Sequence, residues 1–307
     1  MEEELYSIPI QARLCFEKNK GLILPEKVPY IGMGSSYFAS MVLRYAGVKI
    51  FPELAGDYFH YIRLLKQFDQ AVLISQSGRT TDVINCCSCF HEYIAIVNET
   101  QSLLTQQPNL KLVVPIYAGF EKFSSTKTFI NTLVVLYLGH GIDVNNALFS
   151  LERRFSEFEL IGESIGFTIV RSIKKENVRC VNIIGNGPNA GTAYQAALML
   201  SEMTGFPFVG MSLTQYEHGY KETAKHAIVI VINPTKGALF GRTQKLMDVL
   251  RSSGAKVFEI NDSELDEIYT PFTSILPFFF MASFLSKKLG IEEPFRIGNK
   301  ITEREDE

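Results

Sequence analysis

The stretch VPYIGMGSS at residues 28–36 returns as VNIIGNGPN at 181–189: a short apolar run that ends in Gly-x-Gly and small polar residues. Two further pairs follow in the same order. AVLISQS (71–77) is matched by VIVINPT (229–235), and YIAIVNET (93–100) by AKVFEIND (255–262). Aligning Gly32 with Gly185, Ser75 with Asn233 and Asn98 with Asn261 gives offsets of 153, 158 and 163, so the order is kept while the loops drift. A duplicated fold explains this. Within each copy, near-continuous apolar runs rich in β-branched residues alternate with helical patterns, which points to parallel strands covered on both faces by crossover helices. The expectation is an α/β protein of two tandem doubly wound parallel sheets, with a first domain over 1–145 and a second over 146–307. The polar, helical segment from Asp143 to Glu176 joins them.

Bulk composition agrees with two globular cores. The chain has 307 residues, more than a single core usually holds, with 46% hydrophobic and 21% charged residues. Its net charge of -3 provides no field suited to gripping nucleic acid. The cysteines, Cys15, Cys86, Cys87, Cys89 and Cys180, are odd in number and lack a second Cys or His pair at ligand spacing, so they read as small buried hydrophobes, with neither a disulfide framework nor a metal site. The acidic start MEEELYSIPIQARLCFEKNK lacks the basic and apolar regions of a signal peptide, and a cytoplasmic location is expected. Ile275–Leu285 is far shorter than the ~20 residues that cross a bilayer and contains Pro277. It reads as a buried helix, with no membrane partner.

In a doubly wound sheet the ligand sits beyond the carboxyl ends of the strands, so the loops that follow them carry the information. Three in the first half share one chemistry: Gly32-Met33-Gly34-Ser35-Ser36, Ser75-Gln76-Ser77-Gly78-Arg79-Thr80, and Ser124-Ser125-Thr126-Lys127-Thr128. Each should lie at a helix start, where backbone N–H groups and small hydroxyls suit a phosphate dianion and glycine lets the backbone approach closely. Helix capping competes with that reading, because Ser and Thr are favoured N-caps. Three such loops in one domain favour an anion site, and none matches the GxxxxGK[ST] nucleotide loop. A small phosphorylated metabolite fits better than ATP.

The loops GSSY, SQSGRTTD and STKTF, followed by GNGPN and the helix TAYQAALMLSE, resemble the sugar isomerase (SIS) domain family. Within it the chain is similar to the isomerase half of glucosamine-6-phosphate synthase and to stand-alone glucosamine-6-phosphate deaminases and fructosamine-6-phosphate deglycases. The resemblance implies flavodoxin-like domains and a sugar 6-phosphate held by Ser36, Ser75, Gln76, Ser77, Thr80 and Ser125. Gly34, Ser35, Gly78 and Lys127 support the loops, with Lys127 also adding positive charge near the phosphate. Arg79 is taken as solvent-facing or loop-bracing. The second copy, with Gly185–Asn189 and Asn233–Gly237 poorer in hydroxyls, reads as a degenerate phosphate site that supplies the chemistry.

Glu202 is the only acid on the helix predicted over Thr192–Met203 and shares a face with Gln195 and Met199. Carrying a proton between C1 and C2 of an open-chain sugar needs a carboxylate base, and opening the ring needs a group such as His218 that exchanges protons near neutrality. The resemblance implies those roles for Glu202 and His218, which stand at the family's separation. It also implies a Schiff-base lysine at Lys300 in the tail PFRIGNKITE. Gln195 and Met199 replace a Glu and a Lys of the synthase, and no glutaminase domain is recognised, so glutamine-dependent synthesis is not expected.

The resulting expectation is a phosphosugar enzyme that needs no cofactor, foremost a deaminating isomerase converting glucosamine 6-phosphate to fructose 6-phosphate and ammonia. A fructosamine-6-phosphate deglycase, a plain aldose-ketose isomerase and a non-catalytic phosphosugar sensor remain open. The resemblance further implies a homodimer with shared active sites.

Overall fold

The computed structural model describes residues 1–175, 178–293, 295 and 297. The chain divides into two compact units, Tyr6–Val144 and Asn145–Arg296, and Met1–Leu5 belongs with the latter. That short first segment forms most of α1 (Glu2–Tyr6), which buries Leu5.

The unit Tyr6–Val144 contains α2 (Ile8–Lys18), β1 (Pro29–Gly32), α3 (Ser35–Tyr45), β2 (Phe51–Leu54), α4 (Ala55–His60), β3 (Gln70–Ile74), α5 (Thr81–Cys86), β4 (Glu92–Val97), β5 (Leu110–Pro115) and α6 (Lys127–Gly139). All pairings in its sheet are parallel, in the order β2-β1-β3-β4-β5. The chain steps from β1 to β2 one way, then crosses back over β1 to β3 and continues the other way. Right-handed crossovers therefore send α3 to one face, where it meets α6, itself packed on α2, and α4 and α5 to the other. On the α4–α5 face, Ile31, Leu73, Ala95 and Val97 pack with Tyr58, Val83, Tyr93, Cys86 and Cys87. Burial pushes the Cys87 thiol up to about 11, so these cysteines act as core residues.

The unit Asn145–Arg296 contains α7 (Asn145–Arg153), α8 (Phe155–Lys175), β6 (Cys180–Gly185), α9 (Pro188–Thr204), β7 (Phe208–Ser212), α10 (Leu213–His218), β8 (Ala227–Ile232), α11 (Phe240–Ser252), β9 (Lys256–Ile260), α12 (Pro271–Ser274) and α13 (Leu276–Leu289). Its sheet is also parallel, in the order β7-β6-β8-β9. The two sheets thus share an order up to the fourth strand, with β1, β3 and β4 in the places held by β6, β8 and β9. Ser75 and Asn233 each follow the last residue of their strand, as do Asn98 and Asn261. Among the described residues β5 has no counterpart in the second sheet.

Helix α13 packs against α8 and α9 on one face of the second sheet, while α10, the 3-10 turn Tyr220–His226 and α11 cover the other. The apolar stretch Ile275–Leu285 continues backward through α12 and a 3-10 turn, giving a helical run Glu267–Leu289 whose length and composition would suffice to cross a membrane. Within its unit 83% of the most apolar window is buried, as for a core helix. Glycines make this packing close: a Cβ on Gly162 would lie 2.2 Å from the Pro277 carbonyl oxygen, and one on Gly166 would lie 2.9 Å from the Phe284 ring. Because the first obstacle is backbone, Gly162→Ala should destabilise this unit by about 3 kcal/mol, read as a lowered denaturant midpoint with an unchanged m-value.

Candidate functional site

Adjacent strands β1 and β3 are where the first sheet reverses its winding, and their following loops lie side by side at its carboxyl edge. A Cβ on Gly32 would meet the Ser36 side chain at 2.7 Å and the Ile74 carbonyl oxygen at 3.2 Å, a measure of how closely β1, α3 and β3 converge. Gly34 stands at φ +50°, outside the helix, and Ser35 and Ser36 open α3 half-buried. In the second loop the Ser75 hydroxyl, almost fully buried, accepts from the Gly78 N–H (3.1 Å) and lies 3.0 Å from Thr80 Oγ1. Ser77 Oγ accepts from the Arg79 N–H at 3.3 Å. Gln76, Ser77, Arg79 and Thr80 are half-buried. The N-cap residues of α3 and α5, Gly34 and Thr80, make no side-chain cap hydrogen bond.

Asn98, just beyond β4, clamps the second loop to the third. Its N–H donates to the Gln76 carbonyl oxygen (3.0 Å), its Nδ2 to the Gly119 carbonyl oxygen (2.9 Å), and its Oδ1 accepts from the Ala118 N–H (2.9 Å). The third loop differs from the expectation of open amide donors, because Glu121 fills the start of α6. Its Oε1 accepts from the Thr126 N–H (2.9 Å), Thr126 Oγ1 (2.8 Å) and the Lys127 N–H (2.7 Å), and its Oε2 accepts from Thr128 Oγ1 (2.5 Å). Burial raises the Glu121 pKa above the usual carboxylate range, and these hydrogen bonds oppose that rise. Lys127, 5% exposed, donates from Nζ to the Phe120 carbonyl oxygen at 2.7 Å and so braces the loop. Ser125 is half-buried, with its Oγ 2.6 Å from Thr128 Oγ1.

The corresponding edge of the second sheet is filled by acids. Asp262 is 1% exposed, pairs with Arg154 at 2.9 Å, accepts from the Glu264 and Leu265 N–H groups through Oδ1 and takes the Thr273 hydroxyl at 2.7 Å through Oδ2. The Glu267 carboxylate lies over Gly187 and Gly237 and accepts from the Ala238 N–H. Asn186 and Asn189 are turned inward onto Thr243 and Thr270. A phosphate at this edge would meet carboxylates already holding the donors, which gives a physical reason for its loss of hydroxyl loops.

Glu202 occupies the last turn of α9, half-buried, and on the same face Gln195 and Met199 are fully buried. His218 is exposed at the end of α10, whose Glu217 is tied to Arg242 of α11 at 2.7 Å. α9 packs with α13 on one face of the sheet and α10 with α11 on the other, so Glu202 and His218 are carried by different layers of this unit, which Tyr194 and Gln215 link at 3.5 Å. Lys300 lies outside the described residues. Among the described residues, no group of three or more His, Cys, Asp and Glu is placed to hold a metal ion. Glu121 and Asn98 were not singled out by sequence reasoning; the signal available was Glu121 standing five residues before Thr126 at a predicted helix start.

No family model matches the chain. It is similar to glutamine-fructose-6-phosphate aminotransferase (isomerizing) of Wigglesworthia glossinidia brevipalpis, 21% identical over 92% of this chain and 52% of the relative. The like-named protein of Methanothermobacter thermautotrophicus is 25% identical over 87% of this chain and 50% of the relative. The chain therefore spans about half the length of these curated relatives. Among solved structures it is similar to the C-terminal domain of glucosamine-fructose-6-phosphate aminotransferase from Francisella tularensis, with TM-score 0.78 at 17% identity, covering 96% of this chain and 97% of that one. Glucosamine-6-phosphate deaminase from Thermotoga maritima gives 0.72 at 19% identity, covering 95% and 96%. Tagatose-6-phosphate ketose/aldose isomerase from Escherichia coli gives 0.73 at 14%, covering 96% and 94%. The resemblance read from the loops is borne out: the relatives are the isomerase half of the aminotransferase, and the shared fold is α/β with two parallel sheets.

The tightest requirement at the first edge is Gly78. Its φ is +62°, and a Cβ there would fall 2.0 Å from the Ser102 hydroxyl. Strain of this kind costs roughly 1–3 kcal/mol before the collision is counted. Gly78→Ala should lower the melting temperature, read by calorimetry.

Proposed function

We propose that the chain is a phosphosugar enzyme built from two tandem SIS domains, most specifically a deaminating isomerase that converts glucosamine 6-phosphate and water to fructose 6-phosphate and ammonia. The observation that carries the phosphate half of this reading is the pair of loops after β1 and β3, side by side at the switch point, each rich in small hydroxyls and glycine. There Ser36, Ser75, Gln76, Ser77 and Thr80 hold the 6-phosphate, with Gly34, Ser35 and Gly78 shaping the backbone. Ser125 lies on the neighbouring loop. The solved deaminase of like fold supports the choice of substrate, and the isomerase half of the aminotransferases supports proton transfer between C1 and C2.

In the proposed reaction His218 passes a proton between the ring oxygen and the anomeric hydroxyl, opening the sugar to its aldehyde. Glu202 then takes the proton from C2 and delivers it to C1, while a proton passes from the C2 nitrogen to O1, leaving a C1 hydroxyl and an imine at C2. Water adds to that imine, and ammonia leaves as the C2 ketone forms. Glu202 and His218, carried on opposite faces of one sheet, act in one site if a two-fold dimer lends each site the histidine of its neighbour. Gln195 and Met199, both buried and uncharged, leave the base without the charged companions expected in a synthase, which favours hydrolytic or isomerising chemistry over glutamine-dependent transfer.

A panel of phosphosugars scored separately for ammonia release and for aldose-ketose exchange tests this. Ammonia from glucosamine 6-phosphate is expected, with Glu202→Gln losing at least about a hundredfold in turnover. Exchange without ammonia would replace the deaminase by a plain isomerase. Binding without any turnover, unaltered by His218→Ala, would make the protein a sensor. Mixing inactive Glu202→Gln and His218→Ala subunits should restore about a quarter of the activity, because half the dimers are hybrid and one site in each retains both groups. No recovery in proven hybrids would sink the shared site.

A further inference from the structure

The outer face of α8 carries more apolar surface than solvent exposure asks for. Gly162 and Gly166 turn inward against α13. On the opposite side Leu160, Glu163, Phe167, Val170 and Lys174 recur at alternating steps of three and four residues and so share one stripe, with Arg171 beside it. Two large side chains stand in solvent there, Leu160 69% and Phe167 63% exposed. The charges along the stripe are segregated. Glu163 has Glu159, Leu160, Gly166 and Phe167 one turn away, none of them a cation, and Arg171 lies two turns on, about 12 Å along the axis. Glu163, Arg171 and Lys174 form no ion pair among the described residues. Where the basic end of the stripe meets α13, an open cavity of about 400 Å³ is lined by Phe167, Val170, Arg171, Lys174, Phe284 and Lys288. The same helix therefore presents an apolar knob with an acid beside it and, farther along, a basic hole with an apolar floor.

We propose that this stripe is a self-association surface on which a second copy of the chain docks, with the two α8 helices antiparallel and the two-fold axis passing at Phe167. About that axis Leu160 faces Lys174 and Glu163 faces Arg171. The leucine of each copy then lies along the lysine stem and phenyl rings of the other's cavity, and the glutamate meets the guanidinium. A parallel pairing would instead set Glu163 against Glu163 and Arg171 against Arg171, which like charges oppose. A knob and a hole of opposite charge on one helix fit a copy of themselves, the condition for a two-fold contact, and this selects a second copy over an unrelated partner. Because α8 and α13 lie on the side of the second sheet away from α10, the contact is separate from the pairing that would share His218. Where both form, a dimer becomes a tetramer. The inference does not depend on the phosphosugar reading.

Sedimentation equilibrium of the full chain over a wide range of concentration tests this, with circular dichroism confirming that each variant folds; all the altered side chains are exposed. The unaltered protein should form an assembly twice the mass of that formed by Leu160→Asp or by Phe167→Asp, each of which sets a charge against the apolar part of the contact. Glu163→Arg and Arg171→Glu should each weaken the association about tenfold. Joined in one chain, the two changes should restore it, because the exchanged charges meet across the axis of an antiparallel pair. A parallel pair would gain nothing from that exchange. An assembly whose mass none of these substitutions alters overturns the proposal and leaves the stripe to a partner of another kind. Association that Leu160→Asp abolishes but the joint exchange fails to restore overturns it as well, since the antiparallel register is then wrong.

Discussion

Parallel pairing of β1 with β3 governs the polar edge of the first sheet. Both strands run the same way, so both end at one edge, and because the next connections leave in opposite directions no helix fills the gap between their loops. The backbone must then turn sharply in a crowded place. Gly32 is backed by Ser36 and the Ile74 carbonyl oxygen, and Gly78 by Ser102, leaving no room for a Cβ at either position. The small hydroxyl residues follow from the same geometry: a larger side chain at Ser75 would displace the contacts to the Gly78 N–H and Thr80 that close the loop.

Both units set carboxylates against backbone amides at a carboxyl edge, with different consequences. In the first, Glu121 takes the donors at the start of α6, and the loops after β1 and β3 keep their hydroxyls. In the second, Asp262 and Glu267 reach the loops after β9 and β8 themselves, tying them together with Arg154 and Thr273. A carboxylate at a helix start is stabilised by the same donors that would stabilise phosphate, so the two compete for one place. The unit with more such carboxylates is the one whose sequence lost its hydroxyls.

The interior strands were legible because burial on both faces leaves an unbroken apolar run, as in Ala71–Ile74 and Ala227–Ile232. Strands β2, β5 and β7 lie at sheet edges and were not singled out. Phe51–Leu54 contains Pro52 and Glu53 and is partly exposed, Leu110–Pro115 exposes Lys111 and Leu112, and Phe208–Ser212 contains Gly210 against the backbone of α9. One-sided packing removes the pattern that a sequence search uses. The hydroxyls of the candidate site were visible because they break an apolar pattern, whereas Glu121, between Phe120 and Lys122, belongs to no pattern. Its significance comes from four donors, and of these only the Thr126 and Thr128 hydroxyls show in the sequence at all.

The separation of Glu202 from His218 shows how spacing misleads when an element boundary falls inside it. Along one helix, residues sixteen apart would lie about 24 Å apart. Here the interval contains the end of α9, the whole of β7 and all of α10, so the chain passes from one face of the sheet, along an edge strand, to the other. A conserved-looking spacing of this kind therefore carries no statement that its two ends touch. What it does preserve is the pair of surfaces to which they belong: a half-buried acid at the entry to β7 and an exposed imidazole on the crossover that leaves it. Two groups so disposed act on one small molecule only when a second surface brings them together, and a symmetric pair of chains offers that surface twice, once for each site.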